Sequence, residues 1–393
     1  MRRLLPEDRR DVVLRIERIK EKMKVAGMDA MLVSSNVNIY YTTALLFRGY
    51  VYIPVEGNAQ WLVMRPALDL DHDVISIKKP EVIVEELGRR GIKVPVKLGM
   101  ELGDLTVNQF ERLRKCFPGA EISDATPILR ECRMVKTERE IAKMKMDGVH
   151  QCEAYRRISK VYHENISDVE FQIGIERILR LEGSLGFLRA SGNMMELNMG
   201  SVLVGDNADM ASPYDFSMGG EGVDLSLPVG ANGTIIRAGE AVMVDMNGNF
   251  NGYQTDMTRI WAAGELPDIA RKAHAASLKI LRTLEKEGKP GARISYLCEL
   301  ADKIVEEEGL QDYFMGHRQK AGFIGHGVGI ELNEMPVIMR RNNMELQKNM
   351  TIALEPKFVI PKVGAVGAEN TYYVSDDGLV NMTNFPEGIQ ELI

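Results

Sequence analysis

Residues 241–261 read AVMVDMNGNFNGYQTDMTRIW, two strand-forming runs around a centre rich in Asn and Gly. The apolar runs ending at Asp245 and starting near Thr255 favour extended chain, while residues 246–254 supply turn formers, so the stretch predicts a β-hairpin. A symmetric register, centred between Phe250 and Asn251, sets Asp245 opposite Asp256. Opposed side chains lie roughly 4.5–5.5 Å apart at Cβ, and like charges there destabilise a sheet unless something positive lies between them. A cation is the expected remedy.

The pattern recurs near the C-terminus, where TIALE (351–355) and ENTYYV (369–374) flank a segment containing PKVG (361–364). A register centred on Lys362 sets Glu355 opposite Glu369. Either pair alone could be an exposed edge or a coupled dyad sharing a proton. A histidine joins them in GHGVG (325–329), whose glycines leave little bulk around His326 and suit close backbone approach. Taken singly it reads as a hydrogen-bonded loop residue. Four carboxylates with one imidazole, however, form a ligand set suited to Mn2+, Fe2+, Co2+ or Zn2+, and shared carboxylates can hold two such ions roughly 3.5–4 Å apart.

Outward from these hairpins, the chain predicts an α+β protein with a boundary near Met134. Val12, Ile16, Ile19 and Met23 recur at helical spacing before Gly27, and residues 30–33 read as a buried strand. Strands are expected at 50–55, 61–64 and 94–98, and a helix at 107–116. Asp69, Asp71, His72 and Asp73 read as a solvated loop, because consecutive residues of an extended chain point apart. Beyond the boundary, Thr137 to Glu140 and Ser167 to Glu170 are capping boxes that open helices. Residues 181–239, rich in Gly, Asn, Ser and Met, read as short strands and loops beside a site. Two amphipathic helices are expected at 268–287 and 294–308.

Composition narrows the function. The 393 residues carry 49 basic and 56 acidic side chains, a formal charge of -7, with no basic cluster of the kind that displaces counterions from nucleic acid. No apolar run approaches the roughly 20 residues that span a bilayer, and charges near Met1 stand where a signal peptide needs its apolar segment. Cys116, Cys132, Cys152 and Cys298 are irregularly spaced and read as buried structural residues of a cytoplasmic protein.

Asp245, Asp256, His326, Glu355 and Glu369, with the flanks VDMNGNFNGYQTDMTR, GHGVG and LEP, resemble the metal ligands of the pita-bread metallopeptidases, the family of methionine aminopeptidase, aminopeptidase P, prolidase and the metal-free creatinase. Residues 15–41 also resemble the N-terminal domain of prolidase, aminopeptidase P and creatinase. The resemblance implies a creatinase-type α/β domain over 1–133 and, over 134–393, a catalytic domain with a curved antiparallel sheet and helices packed on one face. It implies two divalent ions, Mn2+ foremost, activating water to cleave an N-terminal peptide bond, often one preceding proline, in a short peptide or small amide. Glu355 would shuttle the proton, Thr258 and Arg259 would support the ligands, and relatives with this N-terminal domain imply a homodimer.

Three departures bear on activity. Val229 and Asn333 stand where family peptidases have histidines, and Gly367 where Pro-specific members often have arginine. Val229 and Tyr253 are the expected substrate contacts. Asn333 keeps a donor but cannot shuttle protons, and His317 either replaces a missing donor or is an exposed loop histidine. The alternative is a metal-retaining homologue with weakened catalysis that binds peptides or small amides. A metal-free, creatinase-like hydrolase fits less well, because all five ligands are present and the histidine that creatinase needs is absent.

Overall fold

The computed structural model describes residues 6–68, 74–192 and 197–392. The protein is α+β and divides into two compact units, Met1–Arg133 and Met134–Ile393. Asp69, Asp71, His72 and Asp73 lie outside the described residues.

The first unit contains α1 (Pro6–Val25), β1 (Ala30–Val33), α2 (Asn36–Thr43), β2 (Arg48–Pro54), β3 (Gln60–Arg65), β4 (Val74–Ser76), α3 (Ile83–Arg89), β5 (Lys97–Met100), α4 (Val107–Cys116), β6 (Glu121–Asp124) and α5 (Thr126–Met134), which ends at the division. Its strands form one sheet in the order β4-β3-β2-β1-β5-β6. Strand β1, AMLV, is buried along its whole length, as its central place requires. Leu32, Tyr52, Leu62 and Leu98 of the sheet pack with Ile83 and Leu87 of α3 and with Leu113 and Cys116 of α4. Thr106 and Gln109 cap α4 reciprocally, satisfying two amide donors that the helix start leaves open.

The second unit opens with α6 (Glu138–Tyr155), capped by the Thr137–Glu140 box, and α7 (Asp168–Glu182), capped by Ser167. There follow β7 (Gly200–Val204), β8 (Ala241–Gly248), β9 (Thr255–Ala262), α8 (Asp268–Glu287) and α9 (Ile294–Glu307). The remaining strands are β10 (Gly325–Gly327), β11 (Glu334–Val337), β12 (Thr351–Leu354), β13 (Lys357–Ile360), β14 (Gly364–Gly367), β15 (Asn370–Val374), β16 (Leu379–Asn381) and β17 (Gln390–Glu391). They form sheets ordered β17-β9-β8-β7 and β11-β10-β12-β15-β16, with β13 and β14 as a separate pair.

Strand alternation places the site. Val242, Val244 and Met246 of β8 pack with Tyr155 of α6 and with Phe171 and Ile175 of α7. Ala241 and Met243 face the opposite way, into a core shared with Ala273, Ile280 and Leu284 of α8 and with Ile352 and Leu354 of β12. A period of two carries Asp245 and Asn247 onto that second face. The face that starts in the core therefore ends in carboxylates.

Candidate metal centre

The first hairpin pairs Asp245 with Thr258 and Asn247 with Asp256. This corrects the symmetric register, which sets the two aspartates opposite each other. The turn causes the shift: Gly252 takes φ +94, and the carboxamide oxygens of Asn249 and Asn251 accept from the amides of Gly252 and Tyr253, each at 3.3 Å. The bend is thus centred between Asn251 and Gly252. A slip of two residues keeps the side-chain parity, so both aspartates stay on one face as diagonal neighbours.

In the second hairpin, Leu354 pairs with Asn370 and Lys357 with Gly367. One register runs through both ladders, and it sets Glu355 against Glu369 in the short gap between them. The two hairpins are tied together at this point. The Glu369 amide donates to the Thr258 carbonyl at 3.2 Å, and the Asp256 amide donates to Thr371 Oγ1 at 2.7 Å.

His326 arrives on β10, squeezed between β11 and β12. A Cβ on Gly325 would stand 2.2 Å from the Ala353 carbonyl oxygen, and one on Gly327 would stand 2.1 Å from that of Met335. Both flanking positions therefore need glycine. The Nδ1 of His326 lies 3.0 Å from the Gly327 carbonyl oxygen, a contact that needs a proton on Nδ1 and leaves the Nε2 lone pair for a ligand. That Nε2 lies 3.7 Å from both Asp256 Oδ2 and Glu355 Oε1.

Two clusters of potential donors result, Asp256 with His326 and Glu369, and Asp245 with Glu355 and Glu369. The first fits an ion. Donors about 2.1 Å from a shared ion at a tetrahedral angle are roughly 3.4 Å apart, close to the observed 3.7 Å, which is too long for a hydrogen bond. Glu369 also has a buried oxygen, Oε1, with no partner among the described residues. The second cluster surrounds the ammonium of Lys357, 2.8 Å from Asp245 Oδ2, 2.9 Å from Glu355 Oε2 and 2.9 Å from Glu369 Oε2. These donors do not fit a second ion while Lys357 stands among them.

The electrostatics follow from the crowding. Burial, and then the charges of Glu369, Asp245 and Glu355, push the Asp256 carboxyl well above its ordinary range. Burial and the charge of Glu355 raise Glu369 to about 8, against the pull of Lys357. Burial alone would lower the Lys357 ammonium, but the three carboxylates more than reverse this and hold it well above the usual lysine value.

Of the supporting residues expected, Thr258 donates to Glu369 Oε2 at 2.7 Å. Arg259 is buried and donates to the Glu369 carbonyl at 2.7 Å, to Asn370 Oδ1 at 2.7 Å, and to the carbonyls of Thr383, Phe385 and Pro386 at 2.9–3.1 Å. It staples the C-terminal segment to the back of the second hairpin.

Glu355, Val229 and Asn333 line a cavity of about 200 Å³ together with Asp245, Asp256 and His326. Asn333, however, is engaged in both directions by Ser191, at 2.9 Å to its amide and 2.9 Å to its carbonyl. The carboxamide braces a loop while the residue still lines the cavity. Two expectations are corrected. Tyr253 is not among the cavity-lining residues, and its hydroxyl donates to Glu140 Oε1 at 2.7 Å. His317 is exposed on a loop, with Nδ1 2.9 Å from Asp209 Oδ2, and is likewise not a lining residue. All four cysteines are buried and free.

Two site residues are not among the sequence candidates. Lys357 follows Glu355 at the two-residue spacing that puts both on one strand face, and a lysine opening an apolar strand run is the signal that marks it. Ser217 donates to Glu355 Oε2 at 2.5 Å and lies 3.3 Å from Lys357 Nζ. It comes from a loop without periodicity, and no local pattern identifies it.

Residues 139–376 match the model of Metallopeptidase family M24, and residues 15–135 that of the Creatinase/Prolidase N-terminal domain. The chain belongs to metallopeptidase family M24. It is a metallopeptidase-type hydrolase that carries a creatinase/prolidase N-terminal domain. Relatives include the Xaa-Pro dipeptidase of Pyrococcus furiosus, 26% identical over 94% of this chain and 97% of the relative. The Xaa-Pro dipeptidase of Lactobacillus delbrueckii is 25% identical over 96% and 99%. Among solved structures, the Xaa-Pro dipeptidase from Bacillus anthracis superimposes with a TM-score of 0.79 at 22% identity, covering 97% of this chain and 100% of that one. The X-Pro aminopeptidase from Thermotoga maritima gives 0.76 at 20% identity, covering 93% and 98%. The fold is the pita-bread fold. Among the described residues no helix is long and apolar enough to cross a membrane.

Proposed function

We propose that the protein is a metal-dependent exopeptidase of the Xaa-Pro dipeptidase type, acting on the N-terminal bond of a short peptide or on a related small amide. The observation that carries this reading is the convergence of Asp245, Asp256, His326 and Glu355 on one cavity of about 200 Å³. Asn247 lines the same cavity, and its carboxamide donates to Gln254 Oε1 at 3.0 Å.

Asp256, His326 and Glu369 would hold a divalent ion. The oxygen-rich donor set favours Mn2+, with Co2+, Fe2+ or Zn2+ as alternatives. Bound there, the ion supplies a Lewis acid that lowers the pKa of water and polarises the scissile carbonyl. Glu355 then has the task of taking and returning the proton, with Oε2 fixed by Ser217 and Lys357 and Oε1 directed toward His326. Leu188, Phe216, Val229 and Phe323 supply apolar walls that exclude water from the reacting bond. Homodimeric assembly and a cytoplasmic place of action belong to the same reading.

The test is turnover by Mn2+-loaded protein across Xaa-Pro dipeptides, other dipeptides, tripeptides and cyclic amides, followed by mass spectrometry. Product that disappears with a chelator supports the reading, and no product from any substrate overturns it. The second reading, a binding homologue with weakened catalysis, draws on Val229 at the cavity wall and Asn333 committed to Ser191. Calorimetric binding of a peptide with no product would favour it.

A further inference from the structure

We propose that the ammonium of Lys357 permanently fills one of the two cation positions defined by the carboxylates, so that the centre binds a single divalent ion, on Asp256, His326 and Glu369. The proposal rests on the reading that these donors bind metal and adds how many ions they bind.

Geometry is the first argument. Lys357 Nζ meets one oxygen from each of Asp245, Glu355 and Glu369 at 2.8–2.9 Å, the distances of charge-assisted hydrogen bonds. All three N–H donors thereby find a carboxylate, and Ser217 Oγ stands 3.3 Å away as a fourth neighbour. A dication in the same place would need carboxylate oxygens at about 2.0–2.2 Å, which requires the ammonium to leave.

The ammonium has nowhere to go. The Lys357 side chain has no exposed surface, and the residue is not among those lining the cavity. Expelling Nζ would strand a buried cation away from every carboxylate it now touches.

Charge is the second argument. With the four carboxylates ionised, as ion binding requires, one ammonium leaves three negative charges, and one dication brings the centre within one charge of neutrality. The remaining donors are placed for that ion. Asp256 and His326 line the cavity, and Glu369 Oε1 is buried with no partner among the described residues. Lys357, confined behind the cavity wall, would fix the carboxylates without touching substrate. It is a positioning residue.

The experiment is metal counting on the full chain, purified in chelator and reloaded with excess Mn2+, by elemental analysis and electron paramagnetic resonance. About one Mn2+ per chain with an uncoupled signal is expected. Lys357→Ala should raise the content to about two per chain, with the exchange broadening of a coupled pair. Two tightly bound ions in the unaltered protein, or none, would overturn the proposal, and that measurement stands even if the variant fails to fold. Two ions with turnover would overturn only this proposal. One ion without turnover would support it while removing the exopeptidase reading.

Discussion

The hydroxyl of Thr258 donates to Oε2 of Glu369 at 2.7 Å, the same oxygen that accepts from Lys357 at 2.9 Å. Two donors on Oε2 leave Oε1 as the oxygen for an ion, and they fix the plane of the carboxylate. Thr258 is itself held across the hairpin from Asp245, so one strand position serves both ends of the cluster.

Thr258→Val keeps the shape and removes the donor. Supports of this kind typically contribute tenfold to hundredfold in metal affinity. A weakening of that order in Mn2+ affinity by calorimetry is expected, together with a loss of about 1–3 kcal/mol in stability from the hydrogen bond taken from a buried carboxylate. An unchanged affinity would show that Thr258 does not orient Glu369.

Arg259 lies on the other side of the same strand and donates to backbone or side-chain oxygens of Glu369, Asn370, Thr383, Phe385 and Pro386. Lysine has neither the planar fork nor the number of donors to replace it. Arg259→Lys should therefore leave several buried carbonyls unmet and destabilise the fold by about 3–5 kcal/mol. A urea midpoint close to that of the unaltered protein would refute this.

The glycines around His326 offer a more local test. Gly325→Ala and Gly327→Ala each drive a Cβ to within 2.2 Å of a backbone oxygen, so β10 must move away from β12 or β11. Both variants should lose metal affinity and stability together. Gly322→Ala, where an added Cβ meets nothing within 4 Å, should behave like the parent. Wild-type metal affinity in Gly327→Ala would show that the close approach is not required.

The legible and hidden parts of this centre differ in the range of the interactions that define them. Asp245, Asp256, Glu355 and Glu369 stand out because each adjoins an apolar strand run, and parity along a strand survives the two-residue register error caused by the Gly252 turn. Helices α4 and α8 are legible from periodicity and end signals alone. Lys357 is as regularly spaced as Glu355, but what its ammonium meets depends on Asp245, 112 residues away. Ser217 reaches Glu355 across 138 residues from an aperiodic loop. His317 fails the other way: closeness to His326 in sequence suggests a role, and Asp209 holds it elsewhere.

Asp147 on α6 makes the stability of the second unit depend on pH. It is fully buried, its Oδ1 accepts from the Phe250 amide at 3.3 Å, and its Oδ2 has no partner among the described residues. Burial raises its carboxyl from 3.8 to about 8, against smaller opposing contributions from the Phe250 amide and the charge of Lys143. The folded-state value therefore lies above the unfolded one. Below about pH 4 both states hold the proton and the group exerts no pH dependence. Between about pH 4 and 8 the unfolded chain releases the proton while the folded chain keeps it, so stability falls as pH rises, by at most about 1.4 kcal/mol per pH unit. Above pH 8 both states are ionised and the loss levels off. Asp147→Asn cannot titrate and retains the acceptor for Phe250. The difference in unfolding free energy between parent and variant should therefore shift steadily in favour of the variant from pH 5 to pH 8, whatever its value at pH 5. A difference that stays constant over that interval, measured by urea titration, would show that Asp147 is ionised in the folded protein.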